Sequence, residues 1–269
     1  MKPKPAHLGL QYAMQFQDSS IVDAYHYRPS YTLETINMLL GLITDSPRTV
    51  LDVGCGTGDL ARRLVEQVER VDAVDFSQAM LNKGKQLPGG NHTHLNWIYG
   101  RIEDVTLLPP YALITAGESL HWMEWDIVMP LFQRILTPHG YLALVGRGTE
   151  RNPWNDDLLT LIRRFSTNQE FLPYDILDEL EQRHFFEQRG EIRTQPVPVV
   201  QSGENYIRAF HSMNGFSRER MSEEAASAFD NEVRKLLAPF LQNGQLTLSV
   251  FNLVTWGKPL AQEHVSPEP

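Results

Sequence analysis

The sequence is poor in cysteine and in long apolar runs, and each absence excludes a class of protein. The single cysteine, Cys55, cannot form an internal disulfide, and one cysteine also excludes the multi-cysteine zinc frameworks. No stretch approaches the roughly 18 consecutive apolar residues of a membrane span, and the amino-terminal residues lack the apolar core of a signal peptide. We therefore expect a cytoplasmic protein that does not associate with a membrane.

Clustered basic residues are also missing. The chain has 24 basic and 33 acidic side chains, a formal net charge of -9, and no basic run. Such a surface repels polyanions, so we expect no nucleic-acid partner. The nine histidines show neither an HExxH motif nor another paired-ligand spacing, so we also expect no metal site. These exclusions favour an enzyme with a small-molecule substrate, and its oligomeric state stays open.

The composition is that of a folded protein with a substantial core. Its 269 residues are 42% hydrophobic and 21% charged, and no linker-like stretch divides them. We expect one domain over residues 1–269. Within it we distinguish an amino-terminal segment (1–31), a ligand-binding core (32–147), helices and final strands (148–256) and a flexible tail (257–269).

The hydrophobic pattern predicts an α/β fold. Short apolar runs alternate with helical periodicity in the first half, which predicts βαβ units and a parallel sheet covered on both faces. The predicted strands are 50–53, 71–74, 95–99, 111–115 and 141–145, followed by strand-like runs at 186–200 and 245–256. Helices are predicted at 33–43, 59–68, 77–86, 126–136, 156–165, 174–183, 205–211 and 222–241. We expect a Rossmann-like, seven-stranded, mostly parallel sheet, with helices inserted among the last strands as a lid over its carboxyl edge.

The segment VLDVGCGTGDL carries the strongest functional signal. A buried strand runs directly into Gly54, Gly56 and Gly58, and a helix follows. Glycines allow a tight turn and close approach of the backbone to a ligand, and the helix amino terminus offers free N–H groups. Asp75 ends the second strand, 17 residues after Gly58, where its carboxylate can accept hydrogen bonds from ribose hydroxyls. This order of elements favours a nucleoside-containing ligand over a purely structural turn.

A dinucleotide site is the nearest alternative, and the glycine spacing argues against it. The dinucleotide fingerprint is G-x-G-x-x-G, with a pyrophosphate at the helix amino terminus. Counting from Gly54 and Gly56, the third glycine would fall at position 59, which is Asp59. A carboxylate there would repel a pyrophosphate.

LDVGCGTG resembles the cofactor-binding motif of the class I S-adenosylmethionine-dependent methyltransferases, VDAVDFSQAML is similar to their second motif, and GRIEDVTL to their third. The resemblance implies S-adenosylmethionine as cofactor. It implies that Asp75 holds the ribose, that Phe76 and Met80 form walls of the adenine pocket, and that Asp52 helps to hold the methionine end. It further implies that Asp104 accepts from the adenine amino group while the Glu103 backbone N–H faces the ring.

Two further segments resemble a subgroup of this family. ITAGESLHWMEW and YHYRPSY are similar to segments of the methyltransferase-11-type proteins that include trans-aconitate methyltransferases. The second segment implies that residues 1–31 fold over the cofactor.

Several side chains from these segments are candidates for the site. Glu118 and His121 follow the fourth strand, at the edge where open α/β sheets place ligands. We assign Glu118 to the cofactor. His121 is either a general base or a wall residue, since methylation of a carboxylate needs no base. The remaining candidates for the substrate pocket are Tyr27, Arg28, Trp122 and Arg147.

The sequence thus predicts an S-adenosylmethionine-dependent methyltransferase that methylates a carboxylate or hydroxyl of a small molecule. Two alternatives remain open: a protein that binds the cofactor without catalysing transfer, and an enzyme that methylates a carrier-protein-bound acid.

Overall fold

A computed structural model describes residues 4–172 and 174–262, and this part contains eight strands and ten α-helices. The strands are β1 (Thr49–Val53), β2 (Arg70–Asp75), β3 (Leu95–Tyr99), β4 (Tyr111–Gly117), β5 (Leu136–Thr149), β6 (Phe186–Arg193), β7 (Val197–Ser202) and β8 (Gln245–Pro259). The helices are α1 (Leu10–Ala13), α2 (Ser19–Ala24), α3 (Leu33–Gly41), α4 (Ala61–Leu64), α5 (Gln78–Gln86), α6 (Trp125–Ile135), α7 (Asn155–Phe165), α8 (Ile176–Gln182), α9 (Gly203–Phe210) and α10 (Glu223–Leu237). Of the predicted flexible tail, residues 257–259 complete β8, and residues 263–269 lie outside the described residues.

The strands form one mixed sheet, ordered β3-β2-β1-β4-β5-β8-β6, with β7 also paired to β8. The pairs among β1 to β5 are parallel, and β8 runs antiparallel to β5, β6 and β7. The predicted α/β class and mostly parallel sheet are confirmed. The carboxyl ends of β1, β2, β3 and β4 meet at one edge, where open α/β sheets bind ligands.

The last part of the sheet differs from the sequence prediction in one respect. The run predicted as a single strand, 186–200, is two strands, so the sheet has eight strands in seven positions. β6 pairs with residues 253–259 of β8, and β7 pairs with residues 245–250. Between them, Thr194 donates its N–H to the Asn252 carbonyl, whereas Pro196 has no N–H to donate.

Helices cover both faces of the parallel part. Every residue of β1 is buried, as expected of a strand packed on both sides. One face packs against α3 and α4, the other against α6 and α8. Leu33, the first residue of α3, is 67% exposed, and Thr32 caps the helix by accepting from the Thr35 N–H.

The inserted helices build a third core. α7, α9 and α10 pack around Phe229 and against β7 and the first half of β8. Residues between α9 and α10 contact the amino-terminal segment, for example through Arg220 and Asp18. Among the described residues, no helix is long and apolar enough to cross a bilayer.

Candidate active site

A cavity of about 370 Å³ opens at the carboxyl edge of the sheet. This volume falls within the usual range of small-molecule sites. One side, here called the strand wall, comes from the segments that follow β1 to β4, within residues 54–56, 74–80, 99–103 and 117–124. The other side, the amino-terminal wall, consists of Leu10, Ala13, Met14, Phe16, Gln17, Tyr25 and Arg28.

The glycine turn forms the centre of the strand wall. Gly54 and Gly56 line the cavity with φ of 62° and 57°, a left-handed conformation that favours glycine. A Cβ on Gly54 would lie 2.5 Å from the Ser119 Cβ, so the turn requires the absence of a side chain. Gly58 also has a positive φ, but it packs under the Trp97 ring and is not part of the cavity lining.

Asp75 stands beside this turn at the end of β2. Its two carboxylate oxygens accept hydrogen bonds from the backbone N–H groups of Gly56 and Ser77, both at 2.8 Å. Burial raises the pKa of Asp75 to about 6, and the two N–H donors oppose that rise. The side chain is ionised at neutral pH, and each oxygen retains acceptor capacity toward the cavity.

Asp52 lies behind the turn, outside the lining of the main cavity. It accepts a 2.8 Å hydrogen bond from the Thr115 hydroxyl and lines a small neighbouring pocket together with Arg147. Burial raises the pKa of Asp52 to about 7, with the nearby Asp75 adding to the effect. Its contact with a ligand in the main cavity would be indirect, through the turn.

Glu118 carries the charge at the end of β4. Its φ of 54° is unusual for a residue with a side chain, and the position is held by Arg147, whose guanidinium lies 2.6 Å from the carboxylate. A second guanidinium, that of Arg28, lies 3.8 Å away. Burial alone would raise the pKa of Glu118, but Arg147 and Arg28 hold it below its ordinary value. Arg147 also stacks 3.7 Å above the Tyr31 ring, which locks it behind Glu118.

Tyr25, and not Tyr27, enters the cavity from the amino-terminal wall. A Cβ on Gly56 would lie 3.2 Å from the Tyr25 hydroxyl, so this tyrosine reaches the glycine turn. The Tyr27 hydroxyl instead accepts a 2.9 Å hydrogen bond from Arg208 of α9, outside the cavity lining. Short 3₁₀ and helical turns through this segment decide which ring faces inward.

The segment between α9 and α10 holds the amino-terminal wall in place. Asp18 accepts from Arg220 at 2.6 and 2.9 Å, and the Arg28 Nε donates to the Ser212 hydroxyl at 2.7 Å. The Gly215 N–H donates to the Gln15 side chain at 3.0 Å. The wall thus depends on residues about 200 positions away in the chain.

His121 and Trp122 follow β4 but face differently. Trp122 lines the cavity and meets the Phe16 ring edge-on, with the ring centres 5.7 Å apart. His121 is half-buried beside Trp122 and is not part of the lining. Burial lowers the pKa of His121 to about 4, although Glu118 opposes this shift. The imidazole is therefore neutral at pH 7.

Of the two adjacent acids that follow β3, Glu103 lines the cavity and Asp104 does not. Glu103 lines the cavity with a side chain only 6% exposed, accepting from the Glu124 N–H at 3.0 Å. Asp104 is exposed and is not part of the lining. Of the residues proposed for the adenine, Phe76 and Met80 both line the cavity.

Sequence reasoning missed several lining residues. Tyr25 and Ser119 lie within quoted motifs but were not assigned to the site. Tyr99 is the last residue of β3, and Ile102 follows that strand. The position of these last two could have been inferred, because carboxyl ends of neighbouring parallel strands share one edge. Leu10 and Phe16 carry no such signal. Among the described residues, no group of three or more His, Cys, Asp or Glu side chains is arranged to hold a metal.

Residues 50–140 match the methyltransferase domain family. The chain is 34% identical over 155 residues to an uncharacterized methyltransferase from Mycobacterium bovis, covering 56% of this chain and 60% of that protein. It is 29% identical over 112 residues to a malonyl-[acyl-carrier protein] O-methyltransferase from Anoxybacillus flavithermus, covering 41% and 42% of the two chains. It is 31% identical over 112 residues to a trans-aconitate 2-methyltransferase from Azoarcus sp., covering 40% and 42%. The chain thus spans less than two thirds of the length of these relatives.

Solved structures share the fold over most of the chain. A putative type II methyltransferase from Anaeromyxobacter dehalogenans superimposes with a TM-score of 0.62 at 19% identity, covering 87% of this chain and 99% of that one. A methyltransferase from Geobacter sulfurreducens, solved with S-adenosyl-L-homocysteine, gives 0.50 at 16% identity, covering 90% and 97%. The family resemblance read from the motifs is confirmed to this extent: residues 50–140 match a methyltransferase domain, and the chain shares the fold of the solved methyltransferases.

Proposed function

We propose that the protein binds S-adenosylmethionine in the cavity and methylates an oxygen, in a carboxylate or hydroxyl, of a small-molecule acceptor. The observation that carries the proposal is the strand wall itself: a glycine turn without side chains, with the ionised Asp75 beside it, at the edge of a methyltransferase sheet. The relatives named as O-methyltransferases support the choice of oxygen.

The residues present fit this cofactor. Gly54 and Gly56 leave the backbone open to the cavity, and side chains there would clash with Ser119 or crowd Tyr25. Asp75 would hold the ribose hydroxyls, and Phe76 and Met80 would flank the adenine. Because Asp104 is outside the lining, Glu103 is the better candidate acceptor for the adenine amino group.

When bound, S-adenosylmethionine supplies a methyl group on a positively charged sulfur, and transfer leaves the neutral thioether of S-adenosylhomocysteine. The chain's own contribution is electrostatic and positional. Glu118 offers negative charge held rigidly by Arg147, and Tyr25 offers an aromatic face, which attracts a cation in a desolvated site. The amino-terminal wall limits the access of water.

General base catalysis by His121 is not needed for a carboxylate acceptor, which is already ionised at neutral pH. With a pKa of about 4 and a position outside the cavity lining, His121 is better suited to packing than to proton transfer. This argues against the base role that the sequence left open and favours a role in packing beside the cavity.

Calorimetry with S-adenosylhomocysteine tests the cofactor site. Asp75→Ala should weaken binding by roughly 1.5–3 kcal/mol, or about ten- to hundredfold, through the lost bonds to a charged group. Asp104→Ala is the matched control and should bind like the wild type. The wild-type affinity should also fall as the pH drops through about 6, where Asp75 becomes protonated, and Asp75→Ala should remove that dependence. Equal affinities in both variants would contradict the ribose assignment.

Incubation with labelled S-adenosylmethionine and pools of free acids, alcohols and carrier-bound acids tests the activity. Mass spectrometry should find S-adenosylhomocysteine and a methylated free molecule in equal amounts. Cofactor binding without product in any pool would favour a non-catalytic binding protein, and product only from carrier-bound acids would favour the alternative acceptor.

A further inference from the structure

Part of the cavity lining is apolar and lies outside the set of residues assigned to the cofactor. It consists of Leu10, Ala13, Met14, Phe16, Trp122 and Met123. The edge-on contact of Phe16 with Trp122 joins the amino-terminal wall to the strand wall, so these side chains form one surface. We call them the apolar lining.

The apolar lining continues to the protein surface. Leu10 is 58% exposed and Met14 is 38% exposed, although both line the cavity. Large apolar side chains exposed at the mouth of a cavity gain free energy when a ligand covers them, by about 25 cal/mol for each Å² removed from water. A ligand that fills the cavity and reaches its mouth would therefore be bound through hydrocarbon contact.

The charged groups of the cavity point to the same conclusion. Its lining contains four carboxylates and two guanidinium groups, those of Arg28 and Arg101. Arg28 is engaged by Ser212 and Glu118, and Arg101 lies 3.3 Å from the Glu103 carboxylate. Each guanidinium already lies beside a carboxylate of the lining, so the described lining residues carry a net negative charge. A polycarboxylate would meet net negative charge there.

We propose that the acceptor carries a hydrocarbon portion bound by the apolar lining, and that it has at most one anionic group. This inference rests on the proposed function, because it assigns to the acceptor the part of the cavity that the cofactor leaves. The acceptor proposed for this protein therefore differs from trans-aconitate, the compound with three carboxylates for which one of the relatives is named.

The test measures the binding of pentanoate, heptanoate, nonanoate and propane-1,2,3-tricarboxylate to the full chain saturated with S-adenosylhomocysteine. Affinity should rise by about fourfold for each added methylene, the transfer free energy of one methylene group (about 0.8 kcal/mol). The tricarboxylate should bind more weakly than heptanoate. Affinity that is independent of chain length, or tighter binding of the tricarboxylate, would overturn the inference. Failure of S-adenosylhomocysteine itself to bind would overturn the proposed function instead.

Leu10→Gln and Leu108→Gln form a matched pair, since the two leucines are 58% and 59% exposed and only Leu10 lines the cavity. Leu10→Gln should weaken nonanoate binding by about fivefold or more. Leu108→Gln should leave it within twofold of the wild type. Both variants should bind S-adenosylhomocysteine normally, which excludes a collapsed cavity. Equal nonanoate affinities in the two variants would remove Leu10 from the acceptor site.

Discussion

The two walls of the cavity are built in opposite ways. The strand wall follows directly from neighbouring parallel strands: the turn after β1, Asp75 at the end of β2 and Glu118 after β4 are adjacent because β2, β1 and β4 are adjacent. The amino-terminal wall has no sheet beneath it. It is secured by the segment between α9 and α10, where Arg220 binds Asp18 and Ser212 accepts from Arg28. The difference teaches that strand pairing fixes the strand wall, while the amino-terminal wall depends on contacts with the segment between α9 and α10, which can be weakened separately.

The largest effect of a substitution at neutral pH should come from disturbing the strand wall at Gly54. Gly54→Ala should lower the free energy of unfolding by about 3 kcal/mol, since it combines left-handed strain with a 2.5 Å approach to Ser119. Gly244→Ala provides the control, because Gly244 has a φ of 76° and no atom near its missing Cβ. Its cost should be about 1 kcal/mol, the strain alone. Similar denaturation midpoints for the two variants would show that the turn tolerates a side chain.

The next effect concerns the charge of Asp52, which lies behind the strand wall. Because its folded-state pKa is raised to about 7, protonated Asp52 stabilises the fold fully below pH 4, and this stabilisation is lost as the pH rises through 7. The loss should be roughly 4 kcal/mol. Asp52→Asn should remove this part of the pH dependence, as measured by urea denaturation of both proteins between pH 4 and 8. Parallel curves for the two proteins would mean that Asp52 is ionised without cost.

The amino-terminal wall should respond to loss of the Asp18–Arg220 ion pair. Asp18→Asn should cost about 1–2 kcal/mol of local stability, because the Asp18 side chain is only 11% exposed and also accepts from Ser217. Hydrogen exchange should accelerate about tenfold in residues 14–24 and remain unchanged in β1 and β4. Asp156→Asn breaks an ion pair whose side chains are 75% and 80% exposed, and it should change neither. Faster exchange throughout the sheet would show that the two walls unfold together.

The smallest effect is expected at His121. His121→Gln should reduce the single-turnover rate by no more than about tenfold, and the rate should stay flat between pH 6 and 8. A positioned base contributes about 10²–10⁴-fold, so a thousandfold loss with normal cofactor affinity would make His121 the general base.

The local sequence was sufficient for the strand wall. A strand, three alternating glycines, a helix and an acid at the end of the next strand each follow from short-range periodicity, and the parallel pairing brings them together. Asp75, Phe76, Met80 and Glu118 accordingly line the cavity as predicted, although their roles toward the cofactor remain predictions.

Tertiary structure alone decided which of several similar residues face the cavity. Tyr25 and Tyr27 lie two residues apart in short turns, and Arg208 in α9, far away in the chain, binds the hydroxyl that points outward. Glu103 and Asp104 are adjacent acids, of which one is buried against the Glu124 backbone and the other is exposed. The sequence by itself determined the α/β sheet and the glycine turn, because both depend on periodicity and backbone conformation over a few residues. The amino-terminal wall was decided by packing against residues about 200 positions later, which no local pattern encodes.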